Sequence, residues 1–236
     1  MTTFCSQVKQ MLKRQMVFSY SLWRIVYSAI RLVGVEGYPL GDGHDKNHIF
    51  RVMSYAIRIS KVEGGDIVVI LVSAVMHDIH RHVGDGRLTP KDVTHVVRQI
   101  LEQISGLSEQ RKALIMKVVQ EHETYHWGNL NKCLDDIEVK VVRDADRLDA
   151  MGAIGCGRTF AYGALHGIPE YDRSANILKS NYKYDDYDVS TVHHLYHKLF
   201  NLDRTLHTDT ARDMAKPKMK FIKMFAREYM KEIQGV

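Results

Sequence analysis

The 236-residue sequence predicts an all-α fold built as a single domain. Apolar residues recur along most of the chain with the spacing of one helical face. Glycine and proline are sparse, at 16 and 4 residues, which is too few for an architecture of many strands and turns. The chain has no internal repeat, low-complexity tract or linker that would mark a boundary. We therefore expect one domain over residues 1–236, which is long enough to bury a core.

Helix signals divide the first half of the chain into five segments. We expect helices over residues 4–33, 47–62, 67–76, 89–105 and 108–123. Asp45 can cap the second helix, Asp66 can cap the third, and a proline lies in the first turn of the fourth. The third segment, Ile67–Met76, is apolar on nearly every side, which predicts a buried helix. A strand is the alternative, since Ile67–Val72 is rich in β-branched residues.

The second half of the chain predicts three more helices and a polar stretch between them. We expect the helices over residues 134–163, 189–202 and 209–233. Small residues between Ala150 and Gly157 would let the first of them pack closely against its neighbours. The stretch Gly167–Tyr187 is polar and rich in tyrosine, and we interpret it as a lid. Its tyrosines could stack on a nucleobase, although simple packing explains them more economically. They are Tyr171, Tyr182, Tyr184 and Tyr187.

The composition indicates a metal site built from imidazole and carboxylate, if the protein binds a metal. The chain has 13 His but 3 Cys, which excludes a disulfide scaffold and a cysteine-rich zinc module. Its net charge of +5 is compatible with phosphate-bearing ligands, but Lys and Arg form no long run that would indicate nucleic-acid binding. The sequence shows neither a signal peptide nor a membrane-spanning apolar run. We therefore expect a cytoplasmic protein with no membrane partner.

Four places in the sequence carry side chains that a folded core could gather around a metal. They are His48, the pair His77-Asp78, His122 and Asp146. Asp78 ends the most apolar stretch of the chain, and burying its charge alone would be costly, so it must be paired or ligated. Neighbouring residues on a helix point about 100° apart, so His77 and Asp78 can share one metal only near the helix end. Such donors suit a divalent ion such as Mn, Ni, Co, Fe, Zn or Mg.

These residues belong to a longer pattern that resembles a known family. The pattern consists of His48-x-x-Arg51, Met76-His77-Asp78-Ile79, Asp144-Ala145-Asp146-Arg147-Leu148-Asp149-Ala150 and Ser190-x-x-x-His194-x-Tyr196. It is similar to the HD-domain metal-dependent phosphohydrolases, in their bacterial branch of small stand-alone predicted hydrolases. The resemblance covers roughly residues 43–233, with an HD core over about 43–165 and C-terminal helices over about 188–233. A helical extension at the N-terminus, about 4–33, lies outside it.

The resemblance implies both a fold and a reaction. The fold is an all-helical domain with a central metal cleft, whose ligands would be His48, His77, Asp78 and Asp146. The reaction is hydrolysis of phosphate esters or anhydrides, most simply in nucleotides, through attack of metal-activated water at phosphorus. Members of this branch are implied to release pyrophosphate from nucleoside triphosphates with Mn or a similar ion.

Other side chains near these positions are candidates for binding substrate or moving a proton. The arginines that could neutralise phosphoryl charge are Arg51, Arg81, Arg147 and Arg158. Some relatives carry an acid where this chain has Arg81, so the proton-transfer role is open. The candidates for it are His122, Asp149, Glu121 and Asp85. Asp149 could instead orient a ligand histidine. We interpret His44 as a neighbour of the ligands, and His80 and His82 as solvent-facing or phosphate-facing.

Two other functions are open from the sequence. If His95 and His122 were added ligands, the order of ligands would match two-metal HD proteins, including di-iron oxygenases. A non-catalytic nucleotide-binding regulator is the other alternative, and the presence of all four ligand types disfavours it. The phosphohydrolase interpretation predicts a small phosphate-bearing substrate as the partner, and a homodimer is compatible with the sequence.

Overall fold

The computed structural model describes residues 3–39, 43–84, 88–123, 134–174 and 189–235, and these residues contain helices and no strand. The all-α prediction is therefore confirmed. The α-helices are α1 Phe4–Arg14, α2 Tyr20–Val33, α3 Lys46–Glu63, α4 Ile67–Met76, α5 Ile79–His82, α6 Thr94–Glu102, α7 Glu109–Glu121, α8 Ile137–Asp149, α9 Gly152–Leu165, α10 Thr191–His197 and α11 Asp209–Gln234. Short 3₁₀ helices span Val35–Gly37 and Leu199–Thr205.

The apolar helix α4 lies at the centre of the molecule. Every residue from Val68 to Met76 is buried, and α2, α3, α7 and α8 pack around it. The carboxylate of Asp66 caps its first turn by accepting hydrogen bonds from the amides of Val68 and Val69. All sides of the helix face other helices. The nearly uniform apolar pattern of this segment therefore results from the burial of a helix, and the strand alternative is wrong.

Helices α3 and α8 pack side by side against α4 and carry much of the site. Asp45 begins α3, since its carboxylate accepts hydrogen bonds from the amides of Asn47 and His48 at 2.9 and 3.0 Å. The first turn of α3 thereby holds His48 in the core, where its side chain is fully buried. The last turn of α8 lies opposite and presents its acidic residues to it.

Several helix boundaries differ from those that the sequence predicts. Residues 4–33 form two helices, because Ser19 caps α2 by accepting a hydrogen bond from the amide of Leu22. Residues 134–163 also form two helices, which meet at Met151. Helix α6 begins at Thr94, so Pro90 lies in the preceding turn. Residues 189–202 form α10 and then a 3₁₀ helix. The apolar periodicity continues past these boundaries, so it did not predict where local caps and turns end each helix.

The turn between α8 and α9 depends on glycine at two positions. Gly152 has a φ of +74°, in the left-handed region that other residues rarely adopt. A Cβ atom at Gly155 would collide with the backbone carbonyl oxygen of Ala150. The close approach of the two helices therefore requires the absence of a side chain at Gly155.

The two ends of the chain pack on the same core. The N-terminal helices α1 and α2 contribute Val8, Leu12 and Val26 to one continuous hydrophobic cluster with α4 and α8. Helix α11 packs along α9, where Phe160, Phe225 and Tyr229 form an aromatic group. Most of the stretch interpreted as a lid, with Tyr182, Tyr184 and Tyr187, lies outside the described residues, whereas Tyr171 is half-buried. Among the described helices, none combines the length and apolarity that crossing a bilayer requires.

The glycine contact between α8 and α9 makes a testable prediction. We expect Gly155→Ala to lower the free energy of unfolding by about 1–3 kcal/mol, because backbone must shift to admit the methyl group. Gly157→Ala is the matched control, since a Cβ atom at this position on α9 meets nothing within 4 Å. It should raise stability by about 0.4–1 kcal/mol. Urea denaturation followed by circular dichroism measures both, and equal effects would contradict the packing argument.

Candidate metal centre

The pair His77-Asp78 lies in a break between two helices. Helix α4 ends at Met76 with His77 as its C-cap, and α5 begins after Asp78. Both side chains are buried at this helix end, where they can reach a common point. The sequence predicted this placement, since two adjacent residues on a continuous helix would point apart.

Four side chains converge at this break. The Nε2 atoms of His48 and His77 lie 3.1 Å apart, and each lies 3.2 Å from Oδ2 of Asp78. Oδ1 of Asp146 lies 3.4 Å from Nε2 of His48 and 3.9 Å from Nε2 of His77. The four residues predicted as metal ligands are therefore together, and they come from α3, α8 and the α4–α5 break.

The hydrogen bonds around the two imidazoles show that this donor set fits a cation. Nδ1 of His48 faces a carboxylate oxygen of Asp149 at 2.7 Å, and Nδ1 of His77 faces the carbonyl oxygen of Ala74 at 2.9 Å. Each Nδ1 must therefore carry the proton, which leaves a lone pair on each Nε2 in the neutral rings. In that state two lone pairs and two carboxylates face one another, so the donor set fits a cation at their centre.

Without a metal, protons compensate for the same charges. Burial by itself would lower the pKa of His77, but the Asp78 carboxylate outweighs it and raises the pKa to about 9. Burial likewise opposes ionisation of His48, yet hydrogen bonds to Asp149 and Asp78 raise its pKa. A metal ion must therefore displace at least one proton from the buried imidazoles at neutral pH.

Asp149 supports the cluster from behind His48. Its carboxylate accepts hydrogen bonds from Nδ1 of His48, from Nε and Nη2 of Arg51 at 2.6 and 3.0 Å, and from Nη1 of Arg158 at 2.8 Å. Burial would raise the pKa of Asp149, but the bonds from His48 and Arg51 hold it well below its usual range. Asp149 thus orients His48, one of the predicted ligands, as the sequence allowed. Gly43, at φ +84°, leaves space for the Arg158 guanidinium, which a Cβ atom would approach to 3.0 Å.

A second group of polar side chains lies on the other side of Asp78. Nδ1 of His44 lies 2.7 Å from Oδ2 of Asp78, while Nε of Arg81 donates to Oδ1 at 3.2 Å. Arg81 also pairs with Glu123, whose other carboxylate oxygen lies 3.2 Å from Nε2 of His80. The interpretation of His80 as solvent-facing is wrong, because its side chain is buried.

His122 lies beside the cluster with one ring nitrogen committed to its own helix. Its Nδ1 donates to the carbonyl oxygen of Val119 at 2.8 Å, and its ring centroid lies 5.2 Å from that of His77. Its Nε2 is buried and has no hydrogen-bond partner among the described residues. Burial and the neighbouring His77 lower the pKa of His122 to about 4, so the ring stays neutral at physiological pH.

The structure leaves other candidates outside the cluster. Arg147 is buried on α8 and donates to the carbonyl oxygen of Thr205, so it ties α8 to the C-terminal 3₁₀ helix. Its side chain is not brought to the centre, since neighbours on a helix diverge. His95 is exposed on α6 and belongs to none of the possible ligand groups among the described residues. Glu121 is half-buried at the end of α7, and Asp85 lies outside the described residues.

Sequence reasoning missed Glu123 entirely and misjudged the setting of His80. Both lie next to residues that it singled out, since His80 follows Asp78 by two positions and Glu123 follows His122 by one. Their contact depends on packing between α5 and the residues just after α7. Arg81 and Glu123, which pair there, are 42 residues apart in the sequence. The only signal in the sequence was that each is a potential ligand adjacent to another.

Comparison with known proteins agrees with this geometry. The model of the HD domain family matches residues 46–151, which include all four converging side chains. The Bacillus subtilis protein YpgQ is 31% identical over 199 residues, covering 83% of this chain and 87% of YpgQ. The chain belongs to the HD domain family. The resemblance inferred from the H…HD…D pattern is thereby confirmed.

Solved structures of HD proteins share the fold over most of the chain. A crystal structure of Bacillus subtilis YpgQ in complex with ADP superposes with a TM-score of 0.66 at 28% identity, covering 88% of this chain and 98% of that one. An HD-superfamily hydrolase from Bacillus thuringiensis gives a TM-score of 0.64 at 26% identity, covering 91% and 97%. The fold that these structures share with the chain therefore extends beyond residues 46–151.

The hydrogen bond between His48 and Asp149 predicts a loss of metal affinity when the carboxylate is neutralised. We expect Asp149→Asn to weaken divalent metal binding about 10–100-fold, as replacement of such supporting carboxylates typically does. Asp136→Asn is the control, because Asp136 forms an ion pair with Lys117 away from the cluster. Isothermal titration with Mn²⁺ or Co²⁺ measures both. Unchanged affinity in Asp149→Asn would show that His48 is not a ligand held by this carboxylate.

The raised pKa of His77 predicts that metal affinity increases with pH. Because the pKa of His77 is about 9, most of the rings hold a proton at lower pH. A metal ion must displace that proton, which weakens its binding. We expect the dissociation constant to fall about tenfold for each pH unit between pH 7 and 8 if one proton is released. Titration in two buffers of different ionisation enthalpy counts the protons. Affinity independent of pH would contradict the assignment.

Proposed function

We propose that this protein is a metal-dependent phosphohydrolase that acts on nucleotides. The observation that carries the proposal is the convergence of Asp78 and Asp146 on the same two imidazoles. The Nε2 atoms of His48 and His77 lie 3.1 Å apart, and each lies within 3.9 Å of an oxygen of both carboxylates. A divalent cation held there would polarise a phosphoryl oxygen and lower the pKa of water. The buried imidazoles and carboxylates supply the borderline donor set that Mn, Co, Ni, Fe or Zn prefers.

The distribution of charge around the cluster supports an anionic substrate. The metal-binding histidines are fully buried, whereas the side chains of Arg51, Arg81 and Arg158 are 27%, 37% and 21% exposed. These arginines therefore lie between the cluster and solvent. Three guanidinium groups and a divalent cation carry one positive charge more than the four neighbouring carboxylates neutralise. These carboxylates belong to Asp78, Asp146, Asp149 and Glu123. The excess of positive charge favours binding of phosphate oxygens.

A nucleotide is the substrate class that the comparisons favour. The structure of YpgQ that shares this fold is a complex with ADP. Within this class we propose nucleoside triphosphates as substrates, with release of pyrophosphate. Arg51 and Arg158 would bind phosphate oxygens through the N–H groups that their ion pairs with Asp149 do not use, since a guanidinium has five donors.

His122 is the residue that we assign to positioning water. Its neutral ring offers the lone pair of a buried Nε2, and that atom has no other acceptor role among the described side chains. We propose that Nε2 accepts a hydrogen bond from the attacking water and so fixes its direction. Because its pKa is low, the ring orients the water and does not keep the proton. Asp149 acts through His48 and is a positioning residue.

The competing functions receive less support. A di-iron oxygenase with His95 as a ligand is disfavoured, because His95 is exposed on α6 and outside the cluster. A non-catalytic regulator is disfavoured, because the ligand set is assembled and supported by Asp149. The experiment that separates all three is a panel of nucleoside mono-, di- and triphosphates against Mn, Co, Ni and Mg, with products identified by ³¹P NMR.

We expect one ion per chain and conversion of nucleoside triphosphates to monophosphate and pyrophosphate. Asp78→Ala should abolish both metal binding and hydrolysis, since Asp78 is placed to bind the cation. Release of orthophosphate alone would refute the pyrophosphate assignment. An inert wild-type protein across the panel would favour the regulator, and two irons with oxygen consumption would favour the oxygenase.

The assignment of His122 predicts a loss in rate without a loss of metal. We expect His122→Asn to lower kcat about 10²-fold or more, the usual contribution of a group that directs a reacting water. Metal content should stay the same, because His122 is not among the converging ligands. His95→Asn is the matched control and should leave both unchanged. If His95→Asn removes metal, or if His122→Asn keeps full activity, the assignment is wrong.

A further inference from the structure

The two carboxylate oxygens of Asp78 face different environments. Oδ2 points into the metal cluster, 3.2 Å from Nε2 of both His48 and His77. Oδ1 faces the guanidinium of Arg81, with Nε at 3.2 Å. A carboxylate placed in this way can interact with one cation at each oxygen. In this protein a metal site lies on one side and a guanidinium on the other.

The environment of the Arg81 guanidinium resembles a second cation site. Ligand atoms of Asp78, His80 and Glu123 all lie within 4.8 Å of one another, close enough to hold a metal ion together. Arg81 contacts both carboxylates of this group, Asp78 through Nε and Glu123 through Nη2. The guanidinium thus neutralises the two carboxylates that would otherwise attract a second metal ion.

A buried imidazole nitrogen next to this group adds to the argument. Nε2 of His122 has no hydrogen-bond partner within the described parts of the chain, and the side chain is at least nine-tenths buried. The centroid of its ring lies 6.1 Å from that of His80, whose Nε2 faces Glu123. Buried polar atoms without partners are uncommon, and this one lies beside a group of potential metal ligands.

We propose that Arg81 is a built-in cation that takes the place of a second metal ion and limits the protein to one. Asp78, His80 and Glu123 form a latent divalent-cation site that the guanidinium keeps closed. Removing the guanidinium, and with it the positive charge, opens that site. The proposal rests on the proposed metal-dependent function, because it assumes that the His48–His77–Asp78–Asp146 cluster binds the first ion.

The test counts metal ions bound to variants of the full chain. Each protein is dialysed against Mn²⁺ or Co²⁺, and bound metal is measured by elemental analysis. We expect one ion in the wild type and two in Arg81→Ala. Arg81→Lys should bind one, since the ammonium retains the charge. Arg81→Ala combined with Glu123→Gln should return to one, because the second site then lacks a carboxylate.

Arg111→Ala is a matched control for the lost charge. Arg111 also pairs with a carboxylate, Nε to Oδ2 of Asp66 at 2.7 Å, and its side chain is 38% exposed against 37% for Arg81. No possible metal group among the described residues includes Asp66. We expect one ion in Arg111→Ala. Two ions in that variant would show that loss of any arginine adds nonspecific binding, and would overturn the proposal.

The remaining outcomes separate this proposal from the proposed function. One ion in a folded Arg81→Ala protein, or two in the wild type, overturns the inference and leaves the phosphohydrolase proposal standing. No ion in the wild type overturns both. Circular dichroism tests whether Arg81→Ala is folded. If it is not, Arg81→Met is measured instead, since its side chain keeps most of the length without the charge, and two ions are again expected.

Discussion

The buried carboxylate of Asp78 is the constraint around which the site is organised. It lies at the end of α4, the most apolar helix of the molecule, where an isolated negative charge would cost several kcal/mol even after relaxation. Imidazoles of His44, His48 and His77 and the guanidinium of Arg81 surround it. His48 comes from α3, which packs on the central helix, and His77 directly follows that helix. The apolar core and the polar site are therefore two consequences of the same helix.

A second buried carboxylate, that of Asp149, is also compensated by the groups around it. Asp149 lies behind His48, and its charge is compensated by Arg51, Arg158 and the Nδ1–H of His48. Because the same hydrogen bond fixes the tautomer of His48, charge compensation and ligand orientation are one interaction. Arginines that the sequence suggested for binding substrate therefore have a structural partner as well, and only their remaining N–H groups are available to phosphate.

The positions of residues along the helices and one break between helices supply much of the geometry. Asp149 reaches His48 because it lies one turn after Asp146 on the same face of α8. His77 and Asp78 can reach a common point because α4 ends before them, whereas a continuous helix would direct two adjacent side chains apart. The same principle explains Arg147, which neighbours Asp146 yet points to the carbonyl oxygen of Thr205.

The sequence alone determined the helical class and the burial of α4, because apolar periodicity is a local signal. It also indicated the four side chains that converge, because the H…HD…D pattern and its flanking residues resemble those of a known family. It also predicted that Asp149 could orient a histidine. Only the tertiary structure decided which helix face each residue occupies: it placed Arg147 away from the site, left His95 exposed, and brought Glu123 to Arg81 and His80. Those outcomes depend on contacts between helices far apart in the chain, where a turn of 100° per residue decides what a side chain meets, and no pattern within one segment records that angle.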